Sequence, residues 1–177
     1  MKKRTFIKNA SSTARLAAIQ ALYEFELVGG VFEDILDSFK EKRWLSIQAE
    51  LNAEFAESFK QSDNLRSPDR RVFKSIARGV IENKSLLDRK ITVYLDTDRA
   101  FAQLELIAKT ILRAAAFELL YKPRVPTGVI CSDYVSIANA FFTENQPKLI
   151  NAVIDAVAVK AGRIPPSVKN NCCSSSE

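Results

Sequence analysis

The chain of 177 residues contains no histidine. That removes the commonest general base and the commonest metal ligand, and leaves catalysis by carboxylates or lysine open. Glycine occurs five times, never as GxGxxG or GxxxxGK, which excludes a phosphate cradle of either type. The three cysteines are Cys131, Cys172 and Cys173. Sequence neighbours rarely bridge each other and no Cys-x-x-Cys spacing exists, so a reduced, cytoplasmic compartment is the simplest reading. No apolar run reaches the roughly 18 residues that a membrane span needs. The opening MKKRTFIKNASS has cations but no apolar stretch behind them, which argues against a secretory signal.

Hydrophobic residues make up 47% of the chain, enough for one globular domain or two small lobes sharing a core. The net charge is +5, and its location matters more than its size. Lys2, Lys3, Arg4, Lys8 and Arg15 all precede the first acid, Glu24, and beyond them the cations match the acids in number. A basic arm on a neutral body suits a polyanionic partner, most simply nucleic acid; the plainer alternative is a solubilising, disordered N-terminus.

Helical spacing runs along nearly the whole chain. In TARLAAIQALYEFEL (13–27), Leu16, Ile19, Tyr23 and Leu27 recur every three or four residues. This predicts a helix over about 12–28, capped by Ser11 or Ser12 and ended by Gly29-Gly30. Ile35, Leu36 and Phe39 mark a second helix within 31–40. Leu51, Phe55 and Phe59 mark a third over about 44–59. Ser67-Pro68-Asp69 reads as a helix start, and the helix behind it bears Val72, Phe73, Ile76, Val80 and Leu87, with a possible break near Asn83. Leu104, Ile107, Ile111, Ala114 and Leu119 form the next stripe. Leu106, Leu112 and Phe117 fall off that line, so this helix is apolar nearly all round and is expected at the centre. A connector, Lys122-Pro123-Arg124-Val125-Pro126, leads to a helix with Ile130, Tyr134, Ile137 and Phe141. Pro147 opens the last helix, with Ile150, Val153, Ile154 and Val157. The expectation is an all-α bundle of about seven helices, with residues 1–11 a flexible basic arm, 12–161 the helical domain and 162–177 a disordered tail.

The chemistry that remains is sparse. Glu24 and Glu26, two apart, point to different sides of a helix and do not converge on one substrate. Cys131 lies in the first turn of a predicted helix, where the dipole favours a thiolate, but without histidine beside it a small buried hydrophobe is the better reading. Cys172-Cys173 would need ligands from elsewhere to hold a metal. The phenylalanines fall on apolar stripes and not among cations as on a base-stacking platform. Tyr23 and Tyr94 fit either a core or an interface, with a buried ring and a hydroxyl at the surface.

Five ordered segments resemble one family. ARLAAIQALY (14–23), LLDRKITVYL (86–95), IAKTILRAAAFELLY (107–121), VPTGVICSDYVSIANAFF (125–142) and PKLINAVIDAVAVK (147–160) are similar to successive helices of the NusB transcription antitermination family. The resemblance implies two small helical sub-bundles, no enzymatic activity and no cofactor. It implies pairing with ribosomal protein NusE, and binding of the single-stranded boxA RNA of ribosomal RNA operons within an RNA polymerase antitermination complex. Carried over by position, Arg15, Lys148 and Asn151 would face RNA, with Lys2, Lys3, Arg4 and Lys8 as a reaching arm, and Tyr23 and Tyr94 would lie near the NusE-facing surface. Gln20 aligns but has a structural reading as well. Arg113 and Glu118 align too, either as an internal ion pair or as contacts. Some relatives pair with themselves, so a homodimer is a further expectation.

This chain departs from the family pattern in several places. The family's arginine cluster before Ala14 is replaced by Ser11-Ser12-Thr13, the asparagine-glutamate pair by Ser132-Asp133, and the last helix's glycine by Ala152. The segment 41–66 also looks longer than usual. These changes lead to an expectation of weaker or differently tuned RNA binding on a retained fold. They keep two alternatives open: a protein-interaction module with little RNA affinity, and an accessory domain of a ribosomal-RNA methyltransferase.

Overall fold

The computed structural model describes residues 9–39, 67–95, 98–143 and 145–165. The described residues form eight α-helices and no strand: α1 Ala10–Val28, α2 Phe32–Ser38, α3 Arg70–Glu82, α4 Lys84–Thr92, α5 Asp98–Gln103, α6 Leu106–Tyr121, α7 Thr127–Phe141 and α8 Gln146–Lys160. The helix expected over 44–59 lies outside the described residues. The chain divides into two compact units, Met1–Ala77 and Arg78–Glu177, with the boundary inside α3. The expected all-α architecture with two helical sub-bundles is thus present.

In the first unit, α1 begins two residues earlier than the spacing predicts. Its cap is Asn9 and not Ser11 or Ser12: the Asn9 Oδ1 accepts from the Ser11 and Ser12 amides at 3.0 and 2.9 Å. A polar side chain two residues before Ser11 takes up these orphan N–H groups, so the serines pass into the first turn. The helix ends at Gly29, which takes φ +71° and returns its N–H to the Phe25 carbonyl. The single apolar stripe expected on α1 is incomplete. Ser12 through Ile19 are buried without interruption, whereas Leu27 is exposed and Tyr23 half-buried. Ala14, Ala17, Ala18 and Ala21 are small enough for close packing on the sides away from Leu16 and Ile19.

Ile35, Leu36 and Phe39 are buried as expected. Phe39 stacks on Phe73 at 5.7 Å between ring centroids, and Phe25 meets Phe32 edge-on at 5.0 Å. The start of α3 differs in detail from the sequence reading. Asp69 is itself the capping residue, its Oδ1 accepting from Arg71 N at 2.8 Å and Val72 N at 3.1 Å, and Pro68 stands before the helix and not within it. The Asp69 amide donates to the Ala10 carbonyl at 3.0 Å, tying the start of α3 to the start of α1.

In the second unit, the break near Asn83 is real. The Asn83 amide and its Nδ2 both reach the Gly79 carbonyl, at 3.2 and 2.8 Å, so α3 stops and α4 starts one residue on. A short helix, α5, stands ahead of α6 where the spacing marks none. Leu104 lies before α6 and not in it.

Helix α6 is the centre of this unit. Thr110 through Leu119 are all buried, as the all-round apolar pattern requires. It packs against α4, α7 and α8, and α7 packs on α8. Gly79 on α3 faces the Phe117 ring of α6 so closely that a Cβ there would overlap its tip. Ile130, Tyr134 and Ile137 are buried on α7, but Phe141 is 47% exposed: the expected stripe outruns the packed part of the helix. Ile150, Val153, Ile154 and Val157 are buried on α8.

Of the expected tail, residues 166–177 lie outside the described residues. Gly162 to Pro165 are described, and Arg163 is anchored. Its Nε donates to Thr127 Oγ1 and its Nη1 to the Lys122 carbonyl, both at 3.1 Å, and its Nη2 donates to the Val125 carbonyl.

Candidate RNA-binding and partner-binding surfaces

The residues expected to face RNA fall into three situations. Lys2, Lys3, Arg4 and Lys8 lie outside the described residues. Arg15 is 2% exposed in the first unit. A guanidinium so placed is not open to a phosphate, which is at odds with a direct RNA contact, and it is not without a partner inside the protein. Its RNA-facing assignment came from the family resemblance by position, and Arg15 also sits off the Leu16–Ile19 line. This part of α1 is enclosed on every side, so being off the stripe does not mean being outside.

Lys148 and Asn151 come together at the start of α8. Pro147 is buried in the first turn, where its missing N–H is no loss. Lys148 follows it and is exposed, and Asn151 lies one turn on, half-buried. The Asn151 Nδ2 donates to Asp155 Oδ2 at 3.4 Å, while the Oδ1 atoms of both residues are buried without a hydrogen-bond partner. Lys148 beside the free N–H groups of a helix N-terminus makes this end of α8 electropositive, which suits an anionic group. Gln146 is held nearby, its Nε2 donating to Glu105 Oε1 at 3.0 Å.

Tyr23 is half-buried near the end of α1. Tyr94 is half-buried just past α4, and desolvation raises its phenol above the usual value of 10.0, so it remains a protonated donor at neutral pH. Both are thus neither fully inside nor fully exposed. They belong to different units.

Arg113 and Glu118 do not pair with each other through the bonds seen here. The Arg113 Nε and Nη2 donate to the two oxygens of Asp88 at 2.6 and 2.9 Å, a bidentate bridge from α6 to α4. The guanidinium also lies 5.7 Å from the Phe101 ring centroid of α5, with Lys109 on the same ring at 5.8 Å. Glu118 is buried and its Oε2 accepts from the hydroxyl of the buried Tyr134 at 2.9 Å. These are structural roles. Sequence reasoning did not single out Asp88, and it placed Tyr134 on an apolar stripe. Nothing in one-dimensional spacing pairs residues 25 or 16 positions apart on separate helices. Cys131 is buried, in keeping with its reading as a small core residue.

Among the described residues no group of acids and cysteines could hold a metal ion. None of the described helices is long and apolar enough to cross a membrane.

Comparison with known proteins agrees with this architecture. The model of the NusB family matches residues 12–159. Transcription antitermination protein NusB of Sinorhizobium fredii is 39% identical over 150 residues, covering 85% of this chain and 86% of that protein. The protein of the same name from Caulobacter vibrioides is 35% identical over 147 residues, covering 83% of this chain and 91% of that one. Among solved structures, NusB of T. maritima superposes with a TM-score of 0.60 at 25% identity, covering 86% of this chain and 92% of that one. The solution structure of NusB from Aquifex aeolicus gives 0.59 at 18% identity, over 93% and 100%, which speaks for the fold alone.

Proposed function

This chain belongs to the NusB family, and on that premise we propose that it works by binding boxA RNA of ribosomal RNA operons together with ribosomal protein NusE. It is an antitermination factor and not an enzyme, as its relatives' names have it. In this reading the RNA-facing groups are Lys148 and Asn151 at the start of α8 with the basic arm of Lys2, Lys3, Arg4 and Lys8. Lys148 holds a phosphate, and Asn151 offers its amide to a base edge or keeps the helix start in order. Arg15 serves from within, as a buried charge in the N-terminal half of α1. Tyr23 and Tyr94 face the protein partner, and the complex joins RNA polymerase to promote read-through in the cytoplasm.

The observation that supports this reading most is the exposed Lys148 at an electropositive helix start, one turn from a polar side chain with an unsatisfied acceptor. Single-stranded bases present their edges openly, whereas an A-form duplex hides its major groove. The test is a fluorescence anisotropy titration of labelled boxA RNA, with and without NusE, across salt concentrations. About four neutralised phosphates give a log–log slope near roughly −3 on a single strand, and NusE tightens binding. Measurable binding with a slope near zero would dismiss the arm and Lys148 as phosphate contacts.

A second reading, a protein-interaction module with little RNA affinity, draws on one observation. Where the family pattern carries arginines, Ser12 and Thr13 are buried here. That stretch is built into the fold and cannot present cations without opening it. Unchanged RNA affinity in Lys148→Ala, with intact NusE binding, would favour this second reading. The homodimer expected from some relatives is checked by light scattering on a size-exclusion column.

A further inference from the structure

Helices α4, α6 and α8 leave a groove of about 430 Å³ on the second unit. Its walls are aliphatic: Leu86 and Val93 from α4 and its end, Leu120 from α6 and Val157 from α8. Val93 is 75% exposed, and Leu86 is also exposed. Tyr94 completes the lining. Around this floor stand Arg89, Lys90 and Lys160, all exposed, and no acid lines the groove. None of the three cations makes an ion pair among the described residues. The neighbouring acid, Asp88, has both oxygens committed to Arg113.

Exposed aliphatic surface bounded by charge of one sign marks an interaction site on an otherwise water-compatible surface. The sign of the rim selects the occupant. Apolar anchors with carboxylates beside them satisfy both parts at once, and the protonated Tyr94 hydroxyl is a donor for a carboxylate. A nucleic-acid strand would meet the cations but not the floor, since bases stack on aromatic rows and only one ring lines this groove. The cation at this end of α8, Lys160, lies about 18 Å along the helix axis from Lys148 at the other end. The groove is therefore separate from the electropositive start of α8.

We propose that this groove docks an acidic amphipathic segment of a partner protein, with its apolar side chains on the exposed Leu86 and Val93 and its carboxylates on Arg89, Lys90 and Lys160. The mode is a helix laid into a groove, with anchors at i, i+3, i+4 and i+7. The groove shares Tyr94 with the partner-facing surface proposed above, so the inference deepens that reading, while its test uses neither boxA nor NusE.

The probe is a fluorescein-labelled helical peptide of about 14 residues with leucines at that spacing and glutamates elsewhere. A matched peptide with lysine for glutamate and a single-stranded oligouridine RNA complete the set. Anisotropy should show saturable binding of the glutamate peptide and none of the lysine peptide. Lys90→Glu with Lys160→Glu should weaken binding about tenfold or more, Val93→Asp should do the same, and Lys148→Glu should leave it unchanged. All are surface substitutions, and circular dichroism melts verify that each variant is folded. The proposal is overturned if the glutamate peptide does not saturate, if the lysine peptide binds equally, or if the groove variants bind as the parent does. It is also overturned if the RNA binds and is lost in those same variants, which would make the groove a nucleic-acid surface.

Discussion

Replacing Gly79 by alanine sets two effects of similar size against each other. In a helix interior the change should stabilise by about 1 kcal/mol, because glycine loses more backbone freedom on folding. Here the new methyl would meet the Phe117 ring, overlapping its ζ carbon and both ε carbons more closely than real contacts allow. The ζ carbon lies on the axis of ring rotation, so turning χ2 does not move it. Relief requires a χ1 change or a helix shift, and the ring is not free to move. Phe117 is buried, with Tyr121 tilted against it at 5.3 Å and the Lys122 ammonium 5.4 Å from its centroid. Overpacking of this kind costs about 1–3 kcal/mol, so the net expectation is a loss of roughly 1 kcal/mol, a swing of about 2 from the ordinary glycine-to-alanine result. Urea unfolding followed at 222 nm should show a lower midpoint at unchanged slope. Phe117→Leu shortens the opposing side chain and removes the atoms that clash. In that background Gly79→Ala should become neutral or stabilising, with a coupling of about 1–2 kcal/mol between the two sites. A Gly79→Ala protein more stable than the parent, with Phe117 intact, would refute the close approach and the reasoning with it.

Other expectations are smaller in scope. Asn9→Ala should destabilise by about 0.5–2 kcal/mol in thermal melts, and Ser11→Ala by much less; the reverse order would mean that the serine caps α1 after all. Asp88→Ala leaves the largely buried Arg113 without its bidentate partner and should lower stability by about 1–3 kcal/mol, and Arg113→Lys should not restore it, because an ammonium cannot make the paired bonds. Arg15→Ala should lower the melting temperature through loss of a buried side chain, before any effect on RNA; a fully stable variant with weakened RNA binding would instead place Arg15 on the surface. The raised phenol of Tyr94 means that its folded value exceeds the unfolded one, so its contribution is intact below pH about 10 and is lost as pH rises through the folded value. Tyr94→Phe should flatten the decline in stability above that pH, and tyrosinate absorbance should titrate late in the parent relative to the variant.

The sequence was legible where burial follows a simple period. The apolar run of α6, the break at Asn83 and the proline-opened α8 all follow from residue chemistry acting within a few positions. The failures share a cause. Asn9 outcompetes two serines for the same amides, a choice between near-equal caps that spacing does not decide. Arg15 lies off its stripe yet inside, because the alanines of α1 admit neighbours on every side. Arg113 finds Asp88 and Glu118 finds Tyr134 across helices, where only the packed arrangement brings them within reach. Of the site, the family resemblance named Lys148 and Asn151, which the fold brings together at one helix start. It did not foresee the basic apolar groove at the other end, because the groove's lining comes from three separate segments, each unremarkable by itself.

Arg163 has a consequence for motion. Helix ends fray because their last groups have little to hold them. Here one guanidinium clasps the segment leading into α7 from beyond the end of α8, so both ends of the α7–α8 hairpin open together or not at all. Amides in the last turn of α8 should therefore exchange with solvent at the pace of the whole hairpin, and the hairpin should behave as a single cooperative unit whose latch is one side chain.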